Sequence, residues 1–596
     1  MSARDRAAAP LRAGTGTHPR PQLTRERWFS LDGDWEFALD RAASWRHPDQ
    51  VEWDRTIQVP FAPETERSGV GETGFFNACW YRLSFEPPPL APGERLFLRF
   101  GAVDYSATVY VNGVPVARHE GGYTPFSADL TAVLRDGPQT VVVCAEDDPS
   151  DLAKPRGKQD WQLQPHSIWY PRTSGIWRTV WLEVVPPTRL RTAVWTPDLA
   201  DWAIGLHATL DGILRTDLRL RVRLSVGDET LADDTYSVVG GEVNRRIVPS
   251  DPGVDDYRNE LLWSPSNPTL IQAHLELWGQ RGEKIDEARS YTALRSVAVQ
   301  GDRFLLNGRV HQLRMVLDQG YWPQTGATPP DDGALRRDVE LARAMGFNGV
   351  RKHQKIEDPR YLYWADRLGL MVWEEMPSAY RFTSASVERL TRQWIEVIHR
   401  DRSHPCIVAW VPFNESWGVP DLPAIAAQRH YVQALYHLTK TLDPGRPVIG
   451  NDGWESVATD VVGIHDYDDD PERIARRYAR PDVLPQLFRH GRPGGRLITV
   501  EGHPHAGQPI MLTELGGIAM GEACDARWGY SHCATPEEFA EKYRRLLEVV
   551  RSSELLAGFC YTQFADTYQE QNGLLYADRT PKLPLEQIAL ATRGPR

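Results

Sequence analysis

The 596-residue chain has few of the features that mark disulfide-rich, membrane-spanning or nucleic-acid-binding proteins. Its six cysteines are scattered and form no CxxC pair, so we expect neither a disulfide framework nor a zinc site. Cys144, Cys406 and Cys560 lie in strand-like runs and are expected to be small core residues. The other three cysteines are Cys79, Cys524 and Cys533.

Basic charge and long apolar runs are also scarce. The net charge is −12, which gives no electrostatic footprint for nucleic acid or an anionic membrane. No run approaches the about eighteen apolar residues of a membrane span, and residues 1–20 lack the apolar stretch of a signal peptide. We therefore expect a cytoplasmic protein with no nucleic-acid or membrane partner and a disordered start over residues 1–22.

Three patterns of predicted secondary structure follow one another along the rest of the chain. From about 23 to 185, short alternating runs such as DWEFAL and ATVYVNG are separated by Pro, Gly and Asp turns, which predicts a jelly-roll β-sandwich. Short strands continue from about 186 to 295, a length that suits an immunoglobulin-like β-sandwich. From 296 to 596, strand-like and helical runs alternate, which predicts a (β/α)8 TIM barrel.

The predicted barrel strands repeatedly end in ionisable or amide side chains. Reacting groups sit at the carboxyl ends of the strands in a TIM barrel, whereas turns favour Gly, Asn, Asp and Ser. Eight runs are predicted to be strands: 312–316, 348–354, 369–376, 407–415, 446–452, 461–467, 509–516 and 558–564. Their polar ends are Arg351 and His353, Glu374 and Glu375, Asn414 and Glu415, Asn451 and Asp452, His465 and Tyr467, Glu514, and Tyr561 with Gln563.

Two of these carboxylates form a candidate catalytic pair. Glu415 closes the fourth strand and Glu514 closes the seventh, so both can face one pocket from opposite sides of the ring. Retaining glycoside hydrolysis needs an acid/base and a nucleophile about 5–5.5 Å apart, one carboxyl protonated and the other ionised. Glu374 and Glu375 are expected to support the site or to pair with Arg351.

Two other function classes compete with this hypothesis. A carbohydrate-binding protein with a non-catalytic barrel would use the same pocket without hydrolysis. A metal-dependent hydrolase would use His465 with His503 and His505, but these residues lack a recognisable metal-ligand spacing. We therefore expect no metal and no cofactor, and we expect the acidic run at 466–470 to be a solvated loop.

Several longer motifs resemble glycoside hydrolase family 2 over roughly residues 23–590. WFSLDGDWEF (28–37), VPFAPE (59–64), VYVNGVPVARHEGGYTPF (109–126) and PRTSGIWRTVWLE (171–183) look like its sugar-binding domain. In the barrel, the similar stretches are GFNGVRKHQKIEDPRYLYWADRLGLMVWEEMP (346–377), RDRSHPCIVAWVPFNESWG (400–418) and GFCYTQFADTYQEQNGLLYADRTPK (558–582).

This resemblance implies a retaining exo-glycosidase that removes one terminal sugar from an oligosaccharide or glycoside. It implies Glu415 as the acid/base and Glu514 as the nucleophile. Asn414 would bind the sugar hydroxyl adjacent to the anomeric carbon, Arg351 would orient and ionise the nucleophile, and Tyr467 would lie beside it. No cofactor is implied, and a homo-oligomer is among the expected states.

The sequence departs from the family pattern where the sugar is chosen. Trp169 stands where galactosidases and glucuronidases of the family carry an Asp, and Tyr561 replaces the usual Trp of the last strand. The Asn-x-Lys element that grips a glucuronide carboxylate is not evident after the eighth strand. The expected glycone is therefore β-galactoside-like, or a furanoside or pentoside such as galactofuranoside or arabinoside. The remaining candidate substrate-binding residues are His353, His465 and Gln563.

Overall fold

A computed structural model describes residues 11–14, 16–251, 253–521 and 528–595 of the chain. It confirms the predicted fold class, in which two β-sandwiches precede a TIM barrel. Each part has its own buried apolar cluster, and the largest cluster lies in the barrel. Cys524 lies outside the described residues, whereas the five described cysteines are buried and free.

The first sandwich packs a five-stranded sheet on a six-stranded sheet. In Arg95–Phe100, alternate residues Leu96, Leu98 and Phe100 are fully buried, as expected for a strand that covers a core with one face. The five-stranded sheet contains, in spatial order, Arg12–Ala13, Trp28–Ser30, Val180–Val185, Arg95–Phe100 and Phe126–Asp129. The other contains Arg55–Val59, Gly33–Asp40, Ala78–Phe85, Gln139–Glu146, Ser106–Val111 and Val114–Glu120, and a short pair joins Gly175–Ile176 to Val103–Asp104.

The second sandwich has seven antiparallel strands, in two sheets of three and four, as in immunoglobulin-like domains. The smaller sheet contains Arg189–Asp198, Ala203–Asp211 and Glu242–Ile247. The larger contains Glu229–Ser237, Arg219–Val226, Ile271–Trp278 and Lys284–Thr292. A three-stranded sheet then leads into the barrel: Val297–Gln300, Arg303–Leu306 and Arg309–Val310.

Seven parallel strands form the barrel sheet. Every residue of Ile407–Val411 is buried, which explains why this strand is apolar throughout. The strands are, in spatial order, Ile407–Val411, Met371–Glu375, Gly349–Lys352, Leu313–Asp318, Leu556–Thr562, Ile510–Gly516 and Val462–Asp466. A separate parallel pair, Ile518–Met520 and Ser531–Cys533, follows the seventh predicted strand.

Amphipathic helices cover the outside of the barrel. In Ser384–Asp401, Leu390, Trp394 and Ile398 recur every four residues and are buried, and Thr383 caps the helix by accepting from the Ser386 N–H. The helices are Asp332–Ala344, Pro359–Leu368, Ser384–Asp401, Ala426–Leu442, Pro471–Tyr478, Leu484–His490, Pro536–Ser552 and Leu585–Arg593. Short 3₁₀ turns occur at Pro48–Gln50, Glu66–Ser68, Thr131–Val133, Pro481–Val483 and Pro493–Gly495.

The predicted fifth strand, 446–452, does not form a regular ladder. It joins the fourth strand only through isolated parallel bridges, of Val448 to Trp410 and of Asp452 to Asn414. The gap lies between these two bridges, opposite Pro412, which has no N–H to donate to the segment. The segment still occupies the gap in the ring and places Asp452 at the carboxyl end of the barrel.

The described residues near the chain start pack against the rest of the protein. Residues 1–10 and 15 lie outside the described part, but residues 16–22 are held against the fold, so the expected disorder is wrong for them. His18 is buried, with its ring centroid 4.9 Å from that of Trp28, and Gln22 donates to the Ser403 carbonyl.

Among the described residues, no helix combines the length and the apolar character that a membrane span requires.

Candidate active site

Arg351 is the centre of a buried ionic network at the carboxyl end of the barrel. Its side chain has no exposed surface. Its guanidinium donates to Glu375 Oε2 at 2.7 Å, to Asn414 Oδ1 at 2.7 Å and to Glu514 Oε1 at 3.1 Å, and it lies 2.7 Å from Asp452 Oδ2. One fork of fixed donors therefore orients groups from four barrel segments at once.

Glu514 has the environment of an ionised carboxylate. It lies where the seventh strand loses regular register with both neighbouring strands, an irregularity that re-aims side chains beside active sites. Burial alone would raise the pKa of its carboxyl, but the charges of His465, Arg351 and His353 and the hydrogen bond from Tyr467 bring that pKa below its usual value. Glu514 is therefore ionised at neutral pH, as a nucleophile requires.

Glu415 is held by an unusual backbone conformation. Its φ is +51° and that of Ser416 is +58°, in the left-handed region that residues other than glycine adopt infrequently. The turn is fixed because the Glu415 N–H donates to the Asp452 carbonyl at 2.9 Å and the Ser416 N–H donates to Asn451 Oδ1 at 3.0 Å. Because the side chain of Glu415 keeps 13% of its surface exposed, this carboxyl can reach both substrate and water.

His465 links the two glutamates. Its Nδ1–H donates to Glu415 Oε1 at 2.6 Å and its Nε2–H to Asp452 Oδ2 at 3.0 Å, while Nε2 lies 3.4 Å from Glu514 Oε1. Burial would lower its pKa, but Glu514, Asp452 and Glu415 raise the pKa to about 10, so the ring is positively charged at neutral pH. Within this cluster, an oxygen of Glu415 lies no more than 4.8 Å from an oxygen of Glu514.

Tyr467 approaches Glu514 from the opposite side. Its hydroxyl donates to Glu514 Oε2 at 2.5 Å and lies 3.3 Å from Thr562 Oγ1. Its ring stacks on Tyr530 with centroids 3.3 Å apart and the planes nearly parallel. Glu514 is therefore held by three neighbours, Arg351, His465 and Tyr467.

Asn414 and His353 have polar atoms that the described protein leaves unsatisfied. Asn414 Nδ2 is buried and has no hydrogen-bond partner among the described residues, since Arg351 binds only the amide oxygen. His353 Nδ1 lies 3.0 Å from Glu375 Oε1 and 3.9 Å from Glu514 Oε1, without hydrogen-bond geometry. Since buried polar groups are almost always satisfied, the free amide of Asn414 is available to an acceptor from outside the described residues.

Aromatic rings form one side of the site entrance. Trp417, two residues after Glu415, lies 6.1 Å from the His353 ring and 4.8 Å from the half-buried Trp169. Trp169 also contacts Trp161 at 5.1 Å and Tyr380 at 5.0 Å. Trp169 belongs to the first sandwich, so that domain contributes to the wall of the barrel site.

Tyr561 and Gln563 are not brought to the two glutamates. Alternation along Leu556–Thr562 points Thr562 inward and Tyr561 outward, where its ring meets Tyr543 of the outer helix at 4.9 Å. Its hydroxyl is fully buried and has no partner in the described part of the chain, so the prediction that Tyr561 contacts substrate is wrong. Gln563 is fully buried and accepts from Gln319 Nε2 at 3.0 Å.

Sequence patterns predicted only part of this network. Of the adjacent glutamates at 374 and 375, Glu375 pairs with Arg351, whereas Glu374 faces the opposite side, 3.8 Å from Arg400. The roles of Asp452, Thr562, Trp417 and Tyr530 were missed. Strand alternation from Cys560 would have identified Thr562, but Tyr530 lies in a connection without a periodic signal.

The histidines of the metal hypothesis do not converge. His505 stacks on Phe488 at 5.0 Å and its Nε2 bonds the Gln508 carbonyl at 2.8 Å, and neither it nor His503 joins His465 in any cluster of the described residues. Glu415, His465 and Glu514 do lie close enough together to surround an ion. However, metal binding needs a neutral imidazole, whereas both ring nitrogens of His465 donate hydrogen bonds to carboxylates.

Two known proteins are similar to this chain in sequence. The chain is 27% identical to a β-galactosidase of Thermoanaerobacter pseudethanolicus over 66% of its own length and 51% of that enzyme. It is 26% identical to a β-glucuronidase of Paenibacillus borealis over 89% of its own length and 88% of that enzyme.

Two solved structures share the fold. The β-glucuronidase of Bifidobacterium dentium complexed with coumarin-3-O-glucuronide has a TM-score of 0.78 at 21% identity, covering 96% of this chain and 98% of that one. A β-galacturonidase of Eisenbergiella tayi bound to glycerol has a TM-score of 0.74 at 22% identity, with the same coverage of 96% and 98%.

Fold and site together define a glycoside hydrolase that acts on O-glycosyl bonds. The sandwich loop at Trp169 reaches a barrel end that carries two opposed glutamates, Glu415 and Glu514. The chain belongs to glycoside hydrolase family 2: the family's TIM barrel domain matches residues 297–590, and its sugar binding domain matches residues 72–186.

Proposed function

We propose that the chain is a retaining exo-glycosidase that releases one terminal sugar by double displacement. Glu514 attacks the anomeric carbon while Glu415 gives its proton to the leaving glycosidic oxygen, which produces a covalent glycosyl-enzyme. Glu415 then takes a proton from water, and the resulting hydroxide displaces Glu514 and releases the sugar.

The short approach of the two glutamates in unlike environments supports this assignment best. Their nearest oxygens are within 4.8 Å, which fits the about 5–5.5 Å carboxyl separation of retaining enzymes and leaves too little room for the water of an inverting one. Glu514 has three stabilising neighbours and a lowered pKa, whereas Glu415 contacts His465 and solvent. The charged His465 can stabilise the carboxylate that Glu415 becomes after its proton is transferred.

The other candidate residues have supporting roles in this proposal. The free Nδ2 of Asn414 would donate to the hydroxyl next to the anomeric carbon, a contact that strengthens in the transition state. Trp169 and Trp417 would form an apolar wall for the substrate, and His353 would lie beneath it.

Substitution of each glutamate tests the mechanism. We expect Glu514→Ala and Glu415→Ala each to lower kcat at least about a hundredfold on the best aryl glycoside. A 2-deoxy-2-fluoro glycoside should label Glu514 and no other residue. Glu501→Ala, at an exposed glutamate, is the matched control and should retain activity. Normal turnover by either site variant, or sugar binding without hydrolysis by the wild type, would refute the assignment.

The glycone is to be assigned by a screen of nitrophenyl glycosides. The relatives named above are β-galactosidases, β-glucuronidases and a β-galacturonidase, and these activities define the first substrates to test. None of them supports the furanoside or pentoside expected from Trp169. Galactofuranoside and arabinoside are therefore included as a separate arm of the screen.

A further inference from the structure

A widely spaced ion pair, Lys158 with Glu570, lies between the first sandwich and the barrel. The side chain of Lys158 is 4% exposed, and its Nζ lies 5.4 Å from the Tyr170 ring centroid and 5.8 Å from those of Trp169 and Trp417. Among the described residues, its one anionic neighbour within 4 Å is Glu570, at 3.8 Å from Oε2, and no acceptor lies at hydrogen-bond distance. No acceptor among the described residues therefore takes a hydrogen bond from this ammonium, which has three N–H donors.

Glu570 has spare acceptor capacity. Its side chain is 3% exposed. Its Oε2 accepts from the Tyr170 hydroxyl at 2.5 Å, and its Oε1 accepts from Asn572 Nδ2 at a long 3.3 Å. A carboxylate has about four lone-pair positions, so at least one remains on each oxygen. The Lys158–Glu570 pair thus offers unused donors and unused acceptors side by side.

The pair is linked to Glu415 and Glu514 through shared neighbours. Trp417, whose ring lies beside Lys158, also packs against His353, and the Nδ1 of that histidine is 3.9 Å from Glu514 Oε1. On the other side, burial and then the negative charges of Glu415, Glu514 and Glu570 together raise the pKa of Tyr530. If this ion pair served only to join the two domains, its nitrogen and oxygen would be expected to lie within hydrogen-bond distance of each other.

The charge of the pair decides what it can bind. Lys158 is already compensated by Glu570, so the carboxylate of a uronic acid would have to share one cation with a second carboxylate at close range. Such like-charge contacts cost several kcal/mol in a desolvated site. A neutral sugar hydroxyl avoids this, because it can accept from the ammonium and donate to the carboxylate simultaneously.

We propose that Lys158 and Glu570 form a hydroxyl-binding pair that selects a neutral terminal sugar over a uronic acid. This inference rests on the proposed glycosidase function and adds the substrate class. It also makes the first sandwich part of the specificity site, since Lys158 belongs to that domain and Glu570 to the barrel. Bringing Lys158 close to the pocket requires the two domains to be docked.

The test compares kcat/KM for the best neutral nitrophenyl glycoside with that for nitrophenyl β-glucuronide and β-galacturonide. The wild type should prefer the neutral substrate. Lys158→Met should lower kcat/KM on the neutral substrate at least about tenfold. Glu570→Gln leaves Lys158 uncompensated, so the ratio of uronide to neutral kcat/KM should rise at least about tenfold. Lys542→Met, at a partly exposed lysine paired with Asp469, is the matched control. It should change neither kcat/KM on the neutral substrate nor the ratio of uronide to neutral kcat/KM.

The outcomes separate this inference from the proposed function. Hydrolysis with a ratio that neither substitution changes, even if the Tm falls, would make the pair a structural contact and overturn the inference alone. A wild type that prefers a uronide would overturn it as well. Failure of the wild type to hydrolyse any glycoside, with no fluoro-glycoside labelling of Glu514, would overturn the glycosidase assignment and the inference together.

Discussion

The two ends of the barrel each hold a cluster of one histidine with acidic or thiol neighbours, and these two clusters differ in completeness. The carboxyl-end cluster contains Glu415, His465 and Glu514, and the amino-end cluster contains Asp366, His404 and Cys406. In each cluster the potential ligand atoms lie within 4.8 Å of one another. Residue type and spacing alone would assign the same function to both.

The carboxylate of the amino-end cluster is satisfied by neighbouring protein groups. Asp366 Oδ1 accepts from the Cys406 N–H at 2.7 Å, and Oδ2 accepts from His404 Nδ1 at 2.6 Å and from the Tyr291 hydroxyl at 2.8 Å. Tyr291 belongs to the second sandwich, so this carboxylate also fixes that domain on the barrel. The Cys406 thiol donates to the Leu362 carbonyl at 3.5 Å, so the carboxylate and the thiol of this cluster are both used within the described protein, which indicates a structural role.

The carboxyl-end cluster is left open. Asn414 Nδ2 has no partner in the described chain, Glu415 is partly exposed, and its backbone is held in the left-handed region. Strained residues and unfilled hydrogen bonds persist only where surrounding structure forces them, and they concentrate at functional sites. The comparison indicates that incompleteness, more than residue type, distinguishes a reactive cluster from a structural one.

The largest effect expected at the amino-end cluster is on stability. Asp366→Ala removes the acceptor for three buried donors, at a cost of about 1–3 kcal/mol for each donor left unsatisfied. Differential scanning calorimetry should therefore show a clear fall in Tm, while kcat/KM of the remaining folded enzyme stays within about twofold, because the cluster lies at the end of the barrel away from the chemistry. Glu514→Gln should show the opposite pattern, with lost turnover and a smaller change in Tm. Equal loss of kcat in Asp366→Ala would remove the distinction drawn between the clusters.

Sequence patterns predicted the open cluster well because the geometry of a barrel brings the ends of its strands together. Carboxyl ends of parallel strands meet at one edge, so Arg351, Asn414, Glu415, His465 and Glu514 could be grouped from strand ends alone. These patterns did not determine which strand residues point into the barrel and which point outward, since a shift of one residue moves a side chain to the opposite face. That is why Tyr561 was wrongly placed in the pocket instead of its neighbour.

These sequence patterns did not predict contacts between domains. Lys158 lies in an irregular loop of the first sandwich, and no periodicity connects it to Glu570 in the last part of the barrel. A regular fifth strand was also predicted wrongly. Its polar end at Asn451 and Asp452 is correct, but the ladder before it is interrupted opposite Pro412.

A smaller effect is expected from the hydroxyls of two tyrosines that follow or lie on barrel strands. Tyr467→Phe removes a charge-assisted hydrogen bond to Glu514 Oε2, so kcat/KM should fall about tenfold, the equivalent of roughly 1.4 kcal/mol. The loss also raises the pKa of Glu514, which must be ionised to attack, so the acid limb of the pH profile should move to higher pH. Tyr561→Phe removes a buried hydroxyl that has no described partner, and it should leave both kcat/KM and the acid limb unchanged. A loss of activity in Tyr561→Phe similar to that in Tyr467→Phe would restore Tyr561 to the site.

The smallest effect concerns the pH dependence of stability at the open cluster. The folded-state pKa of His465 is about 10, above the ordinary value of 6.5 for histidine. A group whose pKa is raised by folding stabilises the protein fully below its unfolded pKa and loses that contribution as pH rises through its folded pKa. The stabilisation from the charged ring should therefore be complete below pH 6.5 and disappear between pH 6.5 and about 10.

His465→Gln isolates this contribution, because glutamine stays neutral throughout the range. The Tm difference between wild type and His465→Gln should be greatest at pH 6 and shrink steadily towards pH 10, whereas His437→Gln, at an exposed helix position, should give a small and constant difference. A difference that grew with pH would mean that His465 is neutral in the folded protein. Nδ1 could then donate to Glu415, but Nε2 would have no proton for Asp452, and Arg351 would be left as the cation beside Asp452 and Glu514.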